Sequence, residues 1–474
     1  MRYSAGYEVE MDMVLADPSS LLGQIQRGRG AGFLAALAAD PTVVAPLTLV
    51  CILGDPRFDR QGDSRGDYYA CLAAQCRLPL APLEGYLHSH PNEHAHDYTD
   101  LLLETLASLT WRGDGEAARI LVRYLTYGPE WTVAFDAIVG GHAPIDVRAL
   151  GRVILDRFPE ERVLTDEIDR GPLDSPTWDR WAAVEPRVAP LIAALRARRP
   201  RPRPSEESIR AGIDPAWDIP TVLAHATHDT TIVLGRVAGA RATTRDIPVL
   251  LDAFFSDDTV RIRAASHALA VLAAPGALPP LIRFVEEFDA NPDARLARYR
   301  IGNVRPILAA TSAMLPVARA WLHADGWARP SVALSIVEQR GEERDVEPLR
   351  ALMVAALERE PGNAEAAYAI EGCLDALARF PAHVPYTELA RVFERTESIW
   401  SRRGAAELMA SGHPDTFARA HAIECLWDCA EDIIEIGCAY ADLSMPIVKH
   451  RLDHLRHSPF EEDGVKRQAA KRRQ

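Results

Sequence analysis

The feature that most limits what this chain can become is a helical apolar period, interrupted at short intervals by polar turns. In GDGEAARILVRYLTYG, residues 113–128, apolar side chains fall at Ala117, Ile120, Leu121, Tyr124 and Leu125. That is the spacing of one buried helical stripe, and it puts Arg119 and Arg123 together on the opposite side. The preceding YTDLLLETLASLTW, residues 98–111, carries a second stripe, and a Gly-Asp-Gly turn separates the two. No run alternates with period two for long enough to support a sheet, so the spacing predicts an all-α chain.

Between 220 and 285 the pattern repeats. SDDTVRIRAASHALAVLAAPGALPPLIRFVEEF reads as acidic turn, helix, Pro/Gly turn, helix, and THDTTIVLGRVAGARATTRDIPVLLDAFF upstream lines up with it. Residues 246–251, DIPVLL, lie 31 positions before residues 277–282, ALPPLI. Neighbouring copies at a period of roughly 30 are what a helical repeat array leaves in sequence. With Asp257-Asp258-Thr259-Val260-Arg261 followed by Ala264-Ala265 and Ala268-Leu269, this segment resembles a HEAT repeat of the short type found in phycobilisome-lyase-like proteins. The resemblance implies an α-solenoid of HEAT-like helical hairpins. It also implies that Asp257 or Asp258 caps the first helix, that Arg261 bonds across to the neighbouring repeat, and that the alanines let paired helices approach. It is clear only over residues 220–285 and speaks to architecture alone. Farther on, WSRRGAAELMA, residues 400–410, again sets Arg403 ahead of Ala405-Ala406.

One break in composition divides the chain. LRARRPRPRPSEESIR, residues 195–210, alternates Arg and Pro and cannot continue a helix. It predicts two arrays: an N-terminal degenerate helical-repeat unit over 1–194 and a C-terminal HEAT-like unit over 211–459, with 195–210 as the linker between them. The remainder, 460–474, reads as a basic flexible tail.

The charge balance and the cysteines narrow the setting. At −14, the net charge is wrong for a protein that coats nucleic acid. No apolar run reaches the roughly 18 residues of a membrane span, and Glu8, Glu10 and Asp12 sit where a signal peptide needs a basic start. A cytoplasmic protein with no membrane association is therefore expected. The 7 cysteines contain no Cys-x-x-Cys pair, which suits a reducing compartment. Cys425 and Cys429 read as small buried hydrophobes. The basic residues are nearly all arginine, the lysines being Lys449, Lys466 and Lys471.

Four stretches carry side chains suited to chemistry. The first is GYLHSHPNEHAHDY, residues 85–98, with His88, His90, His94 and His96. Its His-Ser-His-Pro resembles the zinc-binding segment of JAMM-type isopeptidases. The resemblance implies a serine and an aspartate seven and ten residues past Pro91, where this chain has Tyr98 and Leu101, and an upstream glutamate, absent between Asp12 and Leu83. The four histidines are thus weak metal candidates in a polar loop, and no metal or other cofactor is expected. The second, GDPRFDRQGDSRGDYY, residues 54–69, spaces Asp55, Asp59 and Asp63 by four, but Arg57, Arg60 and Arg65 alternate with them and Asp67 follows. A lattice of ion pairs is the expectation there. In the third, QIQRGRGAGF, residues 24–33, the glycines and arginines lack the lysine and serine or threonine of a phosphate loop. It reads as a sharp turn in which Arg27 and Arg29 can meet an anion. The fourth is the pair Trp131 and Trp327, aromatics that a lesion-binding groove could use.

These observations point to a non-enzymatic binding scaffold that presents a concave helical surface to a protein or peptide partner. By the HEAT resemblance the second helix of each pair lines that surface, which nominates Arg119, Arg123, Tyr127 and Arg283. A second reading comes from the bacterial alkylpurine DNA glycosylases, which are similar to this chain in their helical repeats and hold DNA in a basic groove.

Overall fold

The computed structural model describes residues 15–54, 65–89, 99–140, 146–169, 173–198, 205–288 and 295–472. Among them the chain forms 30 α-helices and 5 short 3-10 turns, with no strand. Helices begin where a side chain accepts the free N–H groups of the first turn. Asp114 accepts from Glu116 and Ala117, Asp146 from Arg148 and Ala149, and Asp258 from Val260 and Arg261. Proline opens others, at Pro41, Pro176, Pro248, Pro316 and Pro446, where its missing N–H costs no bond. The chain divides into two compact units, one of them interrupted in sequence by the other.

The central unit spans Pro200–Thr396. Its 3-10 turns, at residues 244–246, 275–277, 312–314, 343–345 and 381–383, mark the passage from first to second helix in successive repeats. The two copies legible in sequence are thus the start of a longer series. The first helices, Thr231–Arg241, Thr259–Leu272, Arg295–Ala309, Ala328–Arg340 and Ala364–Leu377, stack each on the next in a continuous row. The second helices Ile247–Phe254, Leu278–Phe288, Leu315–Trp321 and Val346–Leu357 pack mainly against that row, whereas the last, Tyr386–Arg395, packs on Val346–Leu357. Between the first two helices of the row small residues set the closest approach. A Cβ on Gly235 or Gly239 would lie 2.4 or 2.5 Å from the carbonyl oxygens of Ala264 and Ala268. Only glycine facing alanine lets these two backbones approach so closely. As the resemblance implied, Ala264, Ala265 and Ala268 are buried between helices.

The second unit joins Met1–Arg199 to Glu397–Gln474. This corrects the expected continuous unit over 211–459, whose last part belongs with the N-terminal helices. It also corrects the expected flexible tail. Asp463–Arg472 is a helix that buries Val465 and Ala469 against the helices Glu431–Tyr440 and Pro446–His457. Those two residues form an i, i+4 stripe, and Asp463 at one end with Lys471 and Arg472 at the other complements the helix dipole. The expected linker is shorter than 195–210, because residues 195–198 complete the helix Ala189–Arg198 and Ser205 caps the helix Glu206–Ala211. Residues 199–204 lie outside the described residues.

The Gly/Arg stretch is where the two segments of the interrupted unit lock together. Gly28, at φ +66°, turns the chain between the helices Leu21–Gln26 and Gly30–Ala38, and a Cβ there would meet the Cys429 sulfur at 2.2 Å. The turn exposes a run of backbone carbonyls that need donors in a buried setting. Arg65 donates to Gln26 and Arg27, Arg402 to Arg27 at 2.8 Å, Tyr68 to Arg29 at 2.9 Å, and the Cys429 amide to Gly28 at 2.9 Å. Behind it lie two buried ion pairs, Arg402–Asp428 at 3.0 Å and Arg29–Glu424 at 3.1 Å. The anion that Arg29 meets is therefore Glu424 of the same chain.

Arginines also finish other helix ends, whose last carbonyls have no partner within the helix. Arg157 donates to the carbonyls of Leu125, Tyr127 and Gly128, Arg300 to Phe255 and Ser256, and Arg340 to Ala309 and Ala310. In each case the arginine stands on a later helix and fastens it to an earlier one.

Candidate binding surfaces

Two groups of exposed polar side chains are candidates, one in each unit. In the interrupted unit, Asp114 starts the helix Gly115–Tyr124 and so fixes the direction of Arg119 and Arg123. Both reach Glu84 on the helix Ala81–Ser89, Arg119 through two bonds of 3.1 and 3.2 Å and Arg123 through one of 2.8 Å. The Arg119 guanidinium, with Arg123 beside it, holds the Glu84 carboxyl below the usual range. Tyr127 is half-buried, with its ring edge against His88 at 5.2 Å and Tyr124 at 5.4 Å, and burial raises its phenol. Arg119, Arg123, Tyr127 and His88 thus share one patch. Its arginines already serve an internal carboxylate, although both remain more than half exposed.

His90, His94 and His96 lie outside the described residues, as do Asp55, Asp59 and Asp63. Among the described residues no three His, Cys, Asp or Glu side chains are placed to hold a metal ion. Of the alternating-charge stretch, Arg65 is the buried donor to the Gly/Arg turn, and Asp67 pairs with Arg112 at 2.7 and 2.8 Å. Cys425 and Cys429 are buried, and none of the seven cysteines takes part in a disulfide.

In the central unit the row of first helices carries a charge gradient. At one end stand Arg236, Arg263 and His267; the His267 ring is half-buried, and burial with those two guanidiniums lowers its pKa, keeping it neutral. At the other end Glu338, Glu371 and Asp375 lie near one another. Glu338 and Glu371 are raised first by burial and then by Asp375, while Arg305 opposes the shift at Glu371. Arg305 comes from the helix Arg295–Ala309 and bonds Ser331 on the helix Ala328–Arg340. Its charge reaches Glu371, on the second helix along the row. Tyr368 stands 57% exposed at the acidic end.

The repeat-motif residues divide their roles differently from the resemblance. Asp258 makes the helix cap. Asp257 is instead the exposed partner of Arg300, at 3.4 Å. Arg300, rather than Arg261, reaches the neighbouring repeat; Arg261 is exposed on its helix. Arg300 can do so because its helix, Arg295–Ala309, stacks on Thr259–Leu272, the helix into which that turn leads. Arg283 is exposed on Leu278–Phe288, a second helix and so outside the self-stacking row.

Neither tryptophan is fully exposed. Trp131 is fully buried, packed on Phe135, Phe158 and Trp178. Trp327 packs on Phe288 at 5.9 Å, with Arg305 over its ring at 5.8 Å. No protein-family model matches the chain, and no curated protein is detectably similar to it. Arg236, Arg263, Arg305, Glu338 and Glu371 were not among the residues read from sequence, since each is one charge among many until the stacked row sorts them.

Proposed function

We propose that the protein is a non-enzymatic scaffold whose central unit holds an extended segment of a partner protein along its row of first helices. The observation that carries this reading is the sorting of charge along that row, basic at Arg236, Arg263 and Arg305 and acidic at Glu338, Glu371 and Asp375. Complementary potentials fix the register and direction of a bound chain and suppress wrong partners. The expected segment has acidic residues toward its end at Arg263 and basic residues toward its end at Glu371, with Tyr368 as an exposed aromatic contact.

Capture from a lysate of the source organism on the immobilised full-length chain tests this. Wild type is compared with Arg263→Glu and Glu371→Lys. A protein retained by wild type, and lost with each variant and in high salt, supports the reading. Retention of the same proteins by all three chains removes it. The DNA-repair reading gains no such support, because this row is half acidic and a duplex needs a basic one.

A further inference from the structure

The row of first helices also shows where a partner's main chain can come closest. In the helix Arg295–Ala309, at the middle of the row, Gly302 and Pro306 stand four residues apart, and both are exposed. Each weakens a helix interior, glycine through backbone entropy and proline through its missing N–H. Packing does not account for this glycine. Gly235 and Gly239 admit the backbone of the next helix, whereas a Cβ on Gly302 would meet no heavy atom beyond its own helical turn within 4 Å.

Pro306 has a second effect. In an α-helix the carbonyl of Gly302 accepts from the N–H four positions on, and a proline there has none to give. An acceptor left to solvent therefore lies beside an open notch. The next carbonyl, that of Asn303, is served from within the row, by the Ser266 hydroxyl on Thr259–Leu272. Gly302 also lies one turn before Arg305, on the same side of the helix. Arg305 bonds Ser331 on the next helix along, and its charge reaches Glu371 on the one after. The notch is thus on the face that carries the graded charges.

We propose that Gly302 and Pro306 seat the main chain of the partner: an extended segment crosses the row here, one of its amides donating to the Gly302 carbonyl, its acidic residues toward Arg263 and its basic residues toward Glu371. The contact presupposes that the row is the binding surface, as proposed above, and fixes the segment's conformation and register on it. A side chain at position 302 would hold the segment off the carbonyl, so glycine is the residue the contact requires. Three interhelical steps, of about 8–10 Å each, separate Thr259–Leu272 from Ala364–Leu377. An extended chain rises about 3.3 Å per residue, so the acidic and basic residues of the segment stand about seven to nine positions apart.

Phage-displayed peptides test this. A Glu-Glu pair and an Arg-Arg pair, in either order and separated by about four to twelve random residues, are selected on the full-length protein, and enriched peptides are measured by fluorescence anisotropy. Enrichment is expected to peak at separations of about seven to nine residues. Arg263→Glu and Glu371→Lys should each weaken the enriched peptides about tenfold or more. Gly302→Leu fills the notch and should weaken them about tenfold. Pro306→Ala returns an N–H to the Gly302 carbonyl and should weaken them about threefold or more. Both replacements suit a helix better than the native residues, so the melting temperature should hold or rise and misfolding cannot account for the loss. Peptides that need both charges yet bind the Gly302→Leu chain as tightly as wild type overturn this contact and leave the row as the binding surface. If no peptide is enriched, or enriched peptides ignore both charge reversals, the binding surface itself is removed, and the contact with it.

Discussion

Arg402 shows what a single residue contributes here. It is fully buried, donates to the Arg27 carbonyl and pairs with Asp428, so it serves a backbone turn and a carboxylate from different parts of the chain. Removing it strips the buried Asp428 charge of its arginine and leaves the Arg27 carbonyl to Arg65 alone. Arg402→Leu is therefore expected to lower stability by about 3–5 kcal/mol, read as a shift of the urea midpoint. A shift below about 1 kcal/mol would mean that water satisfies the turn instead. Nothing local in WSRRGAAELMA distinguishes Arg402 from Arg403, yet Arg403 forms exposed pairs with Glu407 and Asp432. Burial separates the two, and burial is a property of what the third dimension brings near.

At the scale of elements, the turns between helices were legible and their ionic fastenings were not. The 3-10 turn at residues 343–345 illustrates both. Burial alone would raise Asp345. The Arg319 guanidinium, at 2.6 and 2.9 Å, and the Glu342 amide, at 2.8 Å, reverse that and hold the carboxyl below the ordinary range. A carboxyl depressed in the folded chain stabilises fully above its unfolded pKa, about 3.9, and loses that contribution as pH falls through the folded value. Asp345→Asn is thus expected to cost about 1.5–3 kcal/mol at neutral pH, with the gap closing below about pH 4. Urea denaturation at several pH values checks it, and a gap that persists unchanged into acid contradicts it. The helices themselves, by contrast, could be read directly. Asp114 and Asp258 cap where an acid precedes an apolar stripe, because capping and amphipathic period are both local.

For the whole molecule the consequential fact is that the last 78 residues, Glu397–Gln474, complete a unit begun by the first 199. Arg29 and Glu424 pair across a separation of 395 positions. A chain ending at Thr396 should keep the central unit and lose the interrupted one. The N-terminal helices would then expose the buried turn at Gly28 and the donors Arg65 and Tyr68. Limited proteolysis with mass spectrometry should show residues 205–396 protected and residues 15–198 cleaved. Co-expression of residues 397–474 should restore protection. Equal protection of both regions in the truncated chain would show that the N-terminal helices form a sufficient core by themselves.

By itself the sequence determined that this chain is helical, where many of its helices begin, and that a repeat runs through residues 220–285. Each of these rests on interactions spanning four residues or one short turn, so each leaves a local trace. The break near 199 was visible for the same reason, since proline acts on its own neighbours. Which units those helices compose was decided only by the tertiary structure, as was the choice of which charges are buried, shared or left to face solvent. A tail with two apolar residues four apart becomes a helix because Glu431–Tyr440 and Pro446–His457 offer it a surface. Scattered arginines and glutamates become a graded row because five first helices stack, the first two of them brought close where glycine faces alanine. Desolvation and ion pairing depend on neighbours in space, and the order of residues along the chain does not specify them one at a time.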